Sequence, residues 1–255
     1  KKTIFSKENR NFARKVASES MVLLKNAPFG IQNAPILPIK KQGTIAVIGP
    51  LANTPHNMAG TWSVATKQEK SITVLNGLKE VAGNQVKIVY AQGCNIDYDA
   101  KYQANATLFG KEIPWDNRSK EDMIKEALEV SKNADVILAV IGEGAEMSGE
   151  SSSRSKLDLT QSQKDLINEL KKTGKPIVLV LFTGRPLVIT DENENFPAIL
   201  NVWFPGSEAG LSIADVLFGD VNPSGKLTST WPRNVGQIPI FYSHKNTGRS
   251  LSDAK

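Results

Sequence analysis

The chain has 255 residues, 40% of them hydrophobic and 22% charged, enough for one large domain or two small ones with a substantial core. No apolar run approaches the ~18 residues needed to cross a bilayer, so no membrane partner is expected, and the single cysteine, Cys94, excludes an internal disulfide. The net charge is +5, but the 31 Lys and Arg residues are scattered among 26 acidic ones without a basic block or aromatic interleaving, which argues against nucleic acid as a partner.

The first stretch, "SKENRNFARKVASESMVLLKN", has helical spacing and puts Phe12, Val16, Ala17, Met21 and Leu24 on one face. Residues 1–30 are read as this helix and a linker from a preceding domain, and residues 31–255 as the main domain. The opening "KKTIFSKENR" lacks the apolar stretch of a signal peptide, and the segment is expected to come from a larger protein.

Five apolar runs of strand length follow: Thr44–Pro50, Val86–Gly93, Asp135–Glu143, Pro176–Gly184 and Ala198–Gly206. They are nearly continuous in apolar residues, as strands buried on both faces of a parallel sheet are. Helical patterns lie between them. Leu75, Leu78 and Val81 form a short stripe. Ser119 with Asp122, and Thr160 with Gln163, have capping-box spacing before helices that carry Met123, Ala127 and Val130, and Leu166, Ile167 and Leu170. "EAGLSIADVLFG" predicts a last helix, whereas 95–119 is a long irregular excursion without an assignment. Alternating strands and helices imply right-handed crossovers and a three-layer α/β/α sandwich around a mostly parallel sheet. Ligands gather beyond the carboxyl ends of such strands, which singles out the loops Pro50–Lys70, Glu143–Leu159 and Gly184–Asn195.

Short motifs exclude more than they suggest. After Gly49 the sequence has no further phosphate-cradling glycine, and Met147 stands where Gly142 and Gly144 would need a third. Ser153–Lys156 reads S-x-x-K and Lys172–Gly174 reads K-T-G, but the serine lies in a coil-forming stretch and the second motif ends a helix. His56, His244 and Cys94 lie in no metal-ligand spacing, so neither a metal nor another cofactor is expected. Three carboxylates remain, Glu143, Glu146 and Glu150, in "GEGAEMSGESSSRSKLDL" directly after a strand. Glutamates in a loop are commonly just solvated. Glu150 differs in its company, since Gly149 and Ser151–Ser153 make a mobile, water-tolerant loop that could carry an acid into a neighbouring site.

The chain resembles the glycoside hydrolase family 3 enzymes, of the bacterial periplasmic β-glucosidase type, along nearly its whole length. The matching segments include "AVIGPLAN", "AGTWS", "GESSSRSKLDLTQSQKDLINELKKTGKPIVLVLFTGRPL", "WFPGSEAGLSIADVLFGDVNPSGKLTSTWPRNVGQIPIFY" and "HKNTGR". The order "GDVNPSGKL", then "P", then "GQIP" is the specific part. The match is to the family's second domain, a six-stranded α/β sandwich. The resemblance implies that a (β/α)8 barrel of the same parent chain supplies a nucleophilic aspartate and most sugar contacts, that a fibronectin-like domain follows, and that the parent is periplasmic or secreted.

It further implies a retaining mechanism acting on a β-glucoside or oligosaccharide, with the acid/base glutamate in the loop after the third sandwich strand. Ser148-Gly149-Glu150 with Arg154 fits that pattern and makes Glu150 the candidate catalytic residue; Glu143 and Glu146 stay as alternatives because the position varies among family branches. Trp62 matches an indole near the substrate entrance, although Thr66 stands where some members have a second one. Trp62 packed under its own loop is the plain alternative. β-Xylosidase or another exo-glycosidase is the alternative activity, and a non-catalytic sugar- or partner-binding module the alternative class.

Overall fold

A computed structural model describes residues 3–63, 66–105, 113–243 and 245; His244 and most of the "HKNTGR" match lie outside the described residues. In chain order the elements are α1 (Lys7–Ser20), β1 (Val22–Asn26), the two-residue strands β2 (Pro28–Phe29) and β3 (Ala34–Pro35), β4 (Gly43–Ile48), α2 (Val74–Ala82), β5 (Val86–Ala91), α3 (Ala100–Asn105) and α4 (Lys120–Ser131). Then follow β6 (Val136–Gly142), α5 (Gln161–Lys171), β7 (Ile177–Phe182), α6 (Thr190–Asn195), β8 (Ala198–Asn201) and α7 (Ala209–Phe218).

Six strands form one sheet in the order β1-β8-β7-β6-β4-β5, parallel throughout except for the antiparallel edge strand β1. Every residue of β6, β7 and β8 is buried, which is why their sequences show no polar alternation. The pleat divides them between two cores. Val47, Leu138, Val140, Val180 and Leu200 pack with Leu75 and Leu78 of α2 and Ile213 and Leu217 of α7. Ile48, Ile137, Ile141, Leu179, Leu181 and Ile199 pack with Ala127 of α4 and Leu166, Ile167 and Leu170 of α5. The result is the three-layer α/β/α sandwich.

The first thirty residues differ from their reading as a single helix and linker. The helix stops at Ser20, Met21 is extended, and Val22–Asn26 pairs with β8, so the sheet begins inside the stretch assigned to the linker. Phe12 and Val16 do not face a core; they are 68% and 50% exposed. The buried residues of α1 are Ala17 and Ser18 instead, and the helix turns two partly covered arginines, Arg10 and Arg14, toward α7. Arg10 Nε lies 2.7 Å from Glu208, and Arg14 Nε donates to Asp215 at 2.6 Å. Both pairs are bidentate and fix α1 against α7. A hydrophobic periodicity cannot register a face that is held by guanidinium groups.

Helix α7 is buried at all ten positions because α2 crosses it on the other side. The crossing is close enough that a Cβ on Gly77 would lie 2.0 Å from the Gly210 carbonyl carbon, and one on Gly210 would lie 2.0 Å from the Thr73 oxygen.

Of the two capping boxes, only Ser119 caps its helix, accepting from the Asp122 amide at 3.1 Å; its hydroxyl in turn donates to the Asp122 carboxylate. Thr160 does not cap α5. Its hydroxyl donates to the Ile96 carbonyl, and Gln163 turns into the sheet edge, accepting from Gly142 N at 2.7 Å and donating to Gly142 O at 3.0 Å. The unassigned excursion is tied down by two amide side chains. Asn95 bridges both backbone groups of Asp116, and Gln103 links Ile96 N to Ile113 O; residues 106–112 of this stretch lie outside the described residues.

On α6, Glu192 is 1% exposed and one of its carboxylate oxygens has no hydrogen-bond partner. Burial, aided by Asp191 and Asp158, raises its pKa, and Lys164 and its own backbone amide offset only part of that. The folded chain therefore binds this proton more tightly than the unfolded chain. The contribution favours folding below the ordinary carboxylate range and is lost as pH rises through the raised value. Glu192→Gln should raise stability near neutral pH by on the order of 1 kcal/mol, with the gain closing by about pH 4. Thermal melts of both proteins across that range check it.

Candidate active site at the carboxyl edge of the sheet

The loop that leaves β6 is anchored by its first residue. Glu143 is 1% exposed. Its amide donates to Phe182 O at 2.7 Å, the link that continues the β6–β7 ladder. One carboxylate oxygen accepts from the Gly184 amide at 3.0 Å. The other accepts from Arg154 Nη1 at 2.8 Å and lies 3.2 Å from Arg185 Nε, near enough for an ion pair though not aligned for a hydrogen bond. Arg154 also donates to Asp158 O, and Arg185 donates to the carbonyls of Met147 and Ser152. The two arginines therefore bind both the buried carboxylate and the loop's own backbone, so the loop closes on itself.

The alternative carboxylates are thus occupied. Glu143 is a buried structural anion. Glu146 is 8% exposed and accepts from the Thr61 hydroxyl at 3.2 Å. Glu150 alone of the three lies exposed, at the tip of the loop between Gly149, whose φ is +107°, and Ser151, whose φ is +61°. Arg154, which the sequence motif associates with Glu150, spends its charge on Glu143 instead.

The loop after β4 meets this tip. Asn57 accepts from the Ala145 amide at 2.8 Å, and Thr61 packs so closely that a Cβ on Gly149 would lie 2.4 Å from Thr61 Cγ2. Trp62 is the next residue, and its side chain is 73% exposed. It does not pack under its own loop. Trp62 and Glu150 each sit one residue from the same Thr61–Gly149 contact, which brings an uncovered indole and an uncovered carboxylate to one edge of the domain.

Of the three loops singled out from the sequence, all meet here: Thr61, Glu143 and Arg185 come from one each. Arg185 and Asn57 were not singled out. Arg185 had a signal, a cation in "FTGRP" at the end of the strand that neighbours β6, but its partner is distant in sequence. Cys94 belongs to the core, where burial pushes its thiol pKa up. Ser153 and Lys156 lie in exposed coil and the K-T-G motif follows the end of α5, so the two are not joined in one site.

The carboxyl edge of this three-layer α/β domain thus presents an exposed glutamate and an exposed indole on two loops that meet at Gly149 and Thr61. Residues 21–254 match the family model "Glycosyl hydrolase family 3 C-terminal domain", and the chain belongs to that family. It is 49% identical over 250 residues to a periplasmic beta-glucosidase of Salmonella typhimurium, covering 98% of this chain and 32% of that protein. It is 39% identical to a beta-xylosidase of Formosa agariphila, covering 92% of this chain and 30% of that one. The crystal structure of beta-glucosidase from Listeria innocua in complex with isofagomine superposes with a TM-score of 0.82 at 34% identity, over 99% of this chain and 31% of that one. The chain thus spans about a third of the length of these relatives.

Removing Glu143 would leave two arginines without their shared anion. Glu143→Ala should cost about 3–5 kcal/mol of unfolding free energy, the range for breaking one side of a buried pair. Glu143→Gln should cost less, because it keeps an acceptor for the Gly184 amide. Urea denaturation of the two variants measures both.

Proposed function

We propose that this domain supplies the general acid/base of a retaining, exo-acting β-glucosidase, that the acid/base is Glu150, and that a (β/α)8 barrel of the same parent chain supplies the nucleophile. The reading is carried by one observation: of the three glutamates in the loop after β6, only Glu150 is exposed, and its neighbour Gly149 meets Thr61, the neighbour of the exposed Trp62. The family membership and the beta-glucosidase relatives support the reaction class.

In this account the barrel's aspartate attacks the anomeric carbon while Glu150 passes its proton to the glycosidic oxygen, and the leaving sugar departs. The resulting carboxylate then takes a proton from water, which attacks the glycosyl-enzyme and restores the acid. Retention requires the two carboxyl groups to stand ~5–5.5 Å apart. A loop with a fixed base and an exposed tip is suited to reaching that far across a domain boundary. Trp62 would line the substrate entrance, its indole offering a flat apolar face to a sugar ring. Without the nucleophile, this domain alone is expected not to turn over. The parent is proposed to be periplasmic or secreted, as the name of the Salmonella relative suggests.

The beta-xylosidase relative favours a second reading within the class. The sugar bound at the cleavage position would be recognised chiefly by the barrel, so β-xylosides are the alternative substrates, and profiling of the parent enzyme with aryl β-glucosides and β-xylosides separates the two.

In the parent enzyme, Glu150→Ala should lower kcat/KM on substrates with poor leaving groups by about 10²–10⁴, the usual worth of general acid–base help. Substrates with good leaving groups should still form the glycosyl-enzyme, and azide should rescue its breakdown to give a β-glucosyl azide. Rescue of Glu143→Ala or Glu146→Ala, with none for Glu150→Ala, would move the assignment to the other residue.

A further inference from the structure

After Glu150 the chain between Ser153 and Gln161 runs against the excursion that follows β5, where the Thr160 hydroxyl donates to the Ile96 carbonyl. Between them lies a pocket of about 410 Å³. Its walls include Asp97, Tyr102, Ser153, Lys156 and Gln161. Its rim starts three residues after Glu150, and nothing in the fold or in the reaction derived above requires it.

The charges around the pocket cancel. Among the described residues its lining carries two cations, Arg154 and Lys156, and two carboxylates, Asp97 and Asp158; Arg154 pairs with Glu143 at 2.8 Å and Asp158 accepts from Lys164 at 2.5 Å. Lys156 and Asp97 form no ion pair among the described residues, and the rest of the described lining offers hydroxyl and amide groups. An anion or a cation would meet an opposing charge in such a lining. A neutral ligand rich in hydroxyl groups, each able to donate and accept, can satisfy both, and the Tyr102 ring adds an apolar wall of the kind that sugar rings cover. The volume lies in the range of small-molecule clefts and is large enough for a pyranose ring or two.

We infer that this pocket is a binding site for a neutral sugar, and that it holds the distal part of the leaving group when an oligosaccharide is cleaved at Glu150. The second clause rests on the acid/base reading above; the first does not. The site lies wholly within this chain and therefore needs no barrel to form.

The test is a titration of the isotopically labelled 255-residue chain followed by backbone amide NMR, with cellobiose as the probe and inorganic phosphate as the control. Saturable shifts at Asp97, Ser153, Lys156 and Gln161 are expected, with a dissociation constant in the millimolar range. Lys156→Ala and Gln161→Ala, each shown to melt like the wild type, should weaken binding about tenfold, the loss of one good polar contact. Absence of saturable shifts up to ~100 mM cellobiose, more than tenfold above a millimolar constant, would overturn the site. Shifts with phosphate and none with cellobiose would overturn the neutral-ligand assignment. In the parent enzyme the same variants should raise KM for cello-oligosaccharides and leave it unchanged for an aryl glucoside; equal effects on both would overturn the leaving-group role. Because the azide experiment reads Glu150 and the titration reads the pocket in this chain alone, either idea can fail while the other stands.

Discussion

The buried carboxylate of Glu143 is the interaction on which the functional edge of the domain depends. A lone ionised group at this depth would be heavily penalised, and it is tolerated because two guanidinium groups and a backbone amide converge on it. The two cations come from different places, Arg154 from the returning arm of the same loop and Arg185 from the loop after β7. One anion at the end of β6 thereby closes its own loop and fastens it to the neighbouring strand. Gln163 completes the anchor from beneath by holding both backbone groups of Gly142.

That anchoring explains why three glutamates so close in sequence have different surroundings. Glu143 is consumed by structure at the base, and Glu146 faces inward to Thr61. Glu150, beyond a glycine in the left-handed region, stands exposed between the attachments at Met147 and Ser152. The acid/base role proposed for Glu150 fits this combination of an anchored base and an uncovered tip. The parallel sheet provides the setting, since the loops after β4, β6 and β7 all leave from the same edge.

The sheet was legible because burial on both faces leaves a plain signature, runs without polar alternation, clearest in β6, β7 and β8, while the edge strand β5 kept a mostly apolar run although it is only partly buried. The sixth was hidden. Val22–Asn26 follows α1 without a break in its helical spacing, and as an edge strand it is only partly buried. The same bias misplaced Phe12 and Val16, because apolar periodicity assigned α1 a hydrophobic face while Arg10 and Arg14 hold the real one. At the candidate site, glycine and serine content drew attention to Glu150's loop, but the partner of Arg154 was not readable. The pair with Glu143 is short in sequence, but Gly184 and Arg185, which share that carboxylate, arrive from another strand. Trp62's exposure, too, was open between two readings until its loop was seen against Gly149.

Residue-resolved amide hydrogen exchange on the isolated chain tests the division between anchored base and free tip most directly. The account predicts slow exchange at Glu143, Ala145 and Gly184, whose amides are held by Phe182 O, Asn57 and the Glu143 carboxylate, and fast exchange at Glu150 and Ser151. Uniformly fast exchange from Glu143 to Ser152, or strong protection at Glu150, would contradict it.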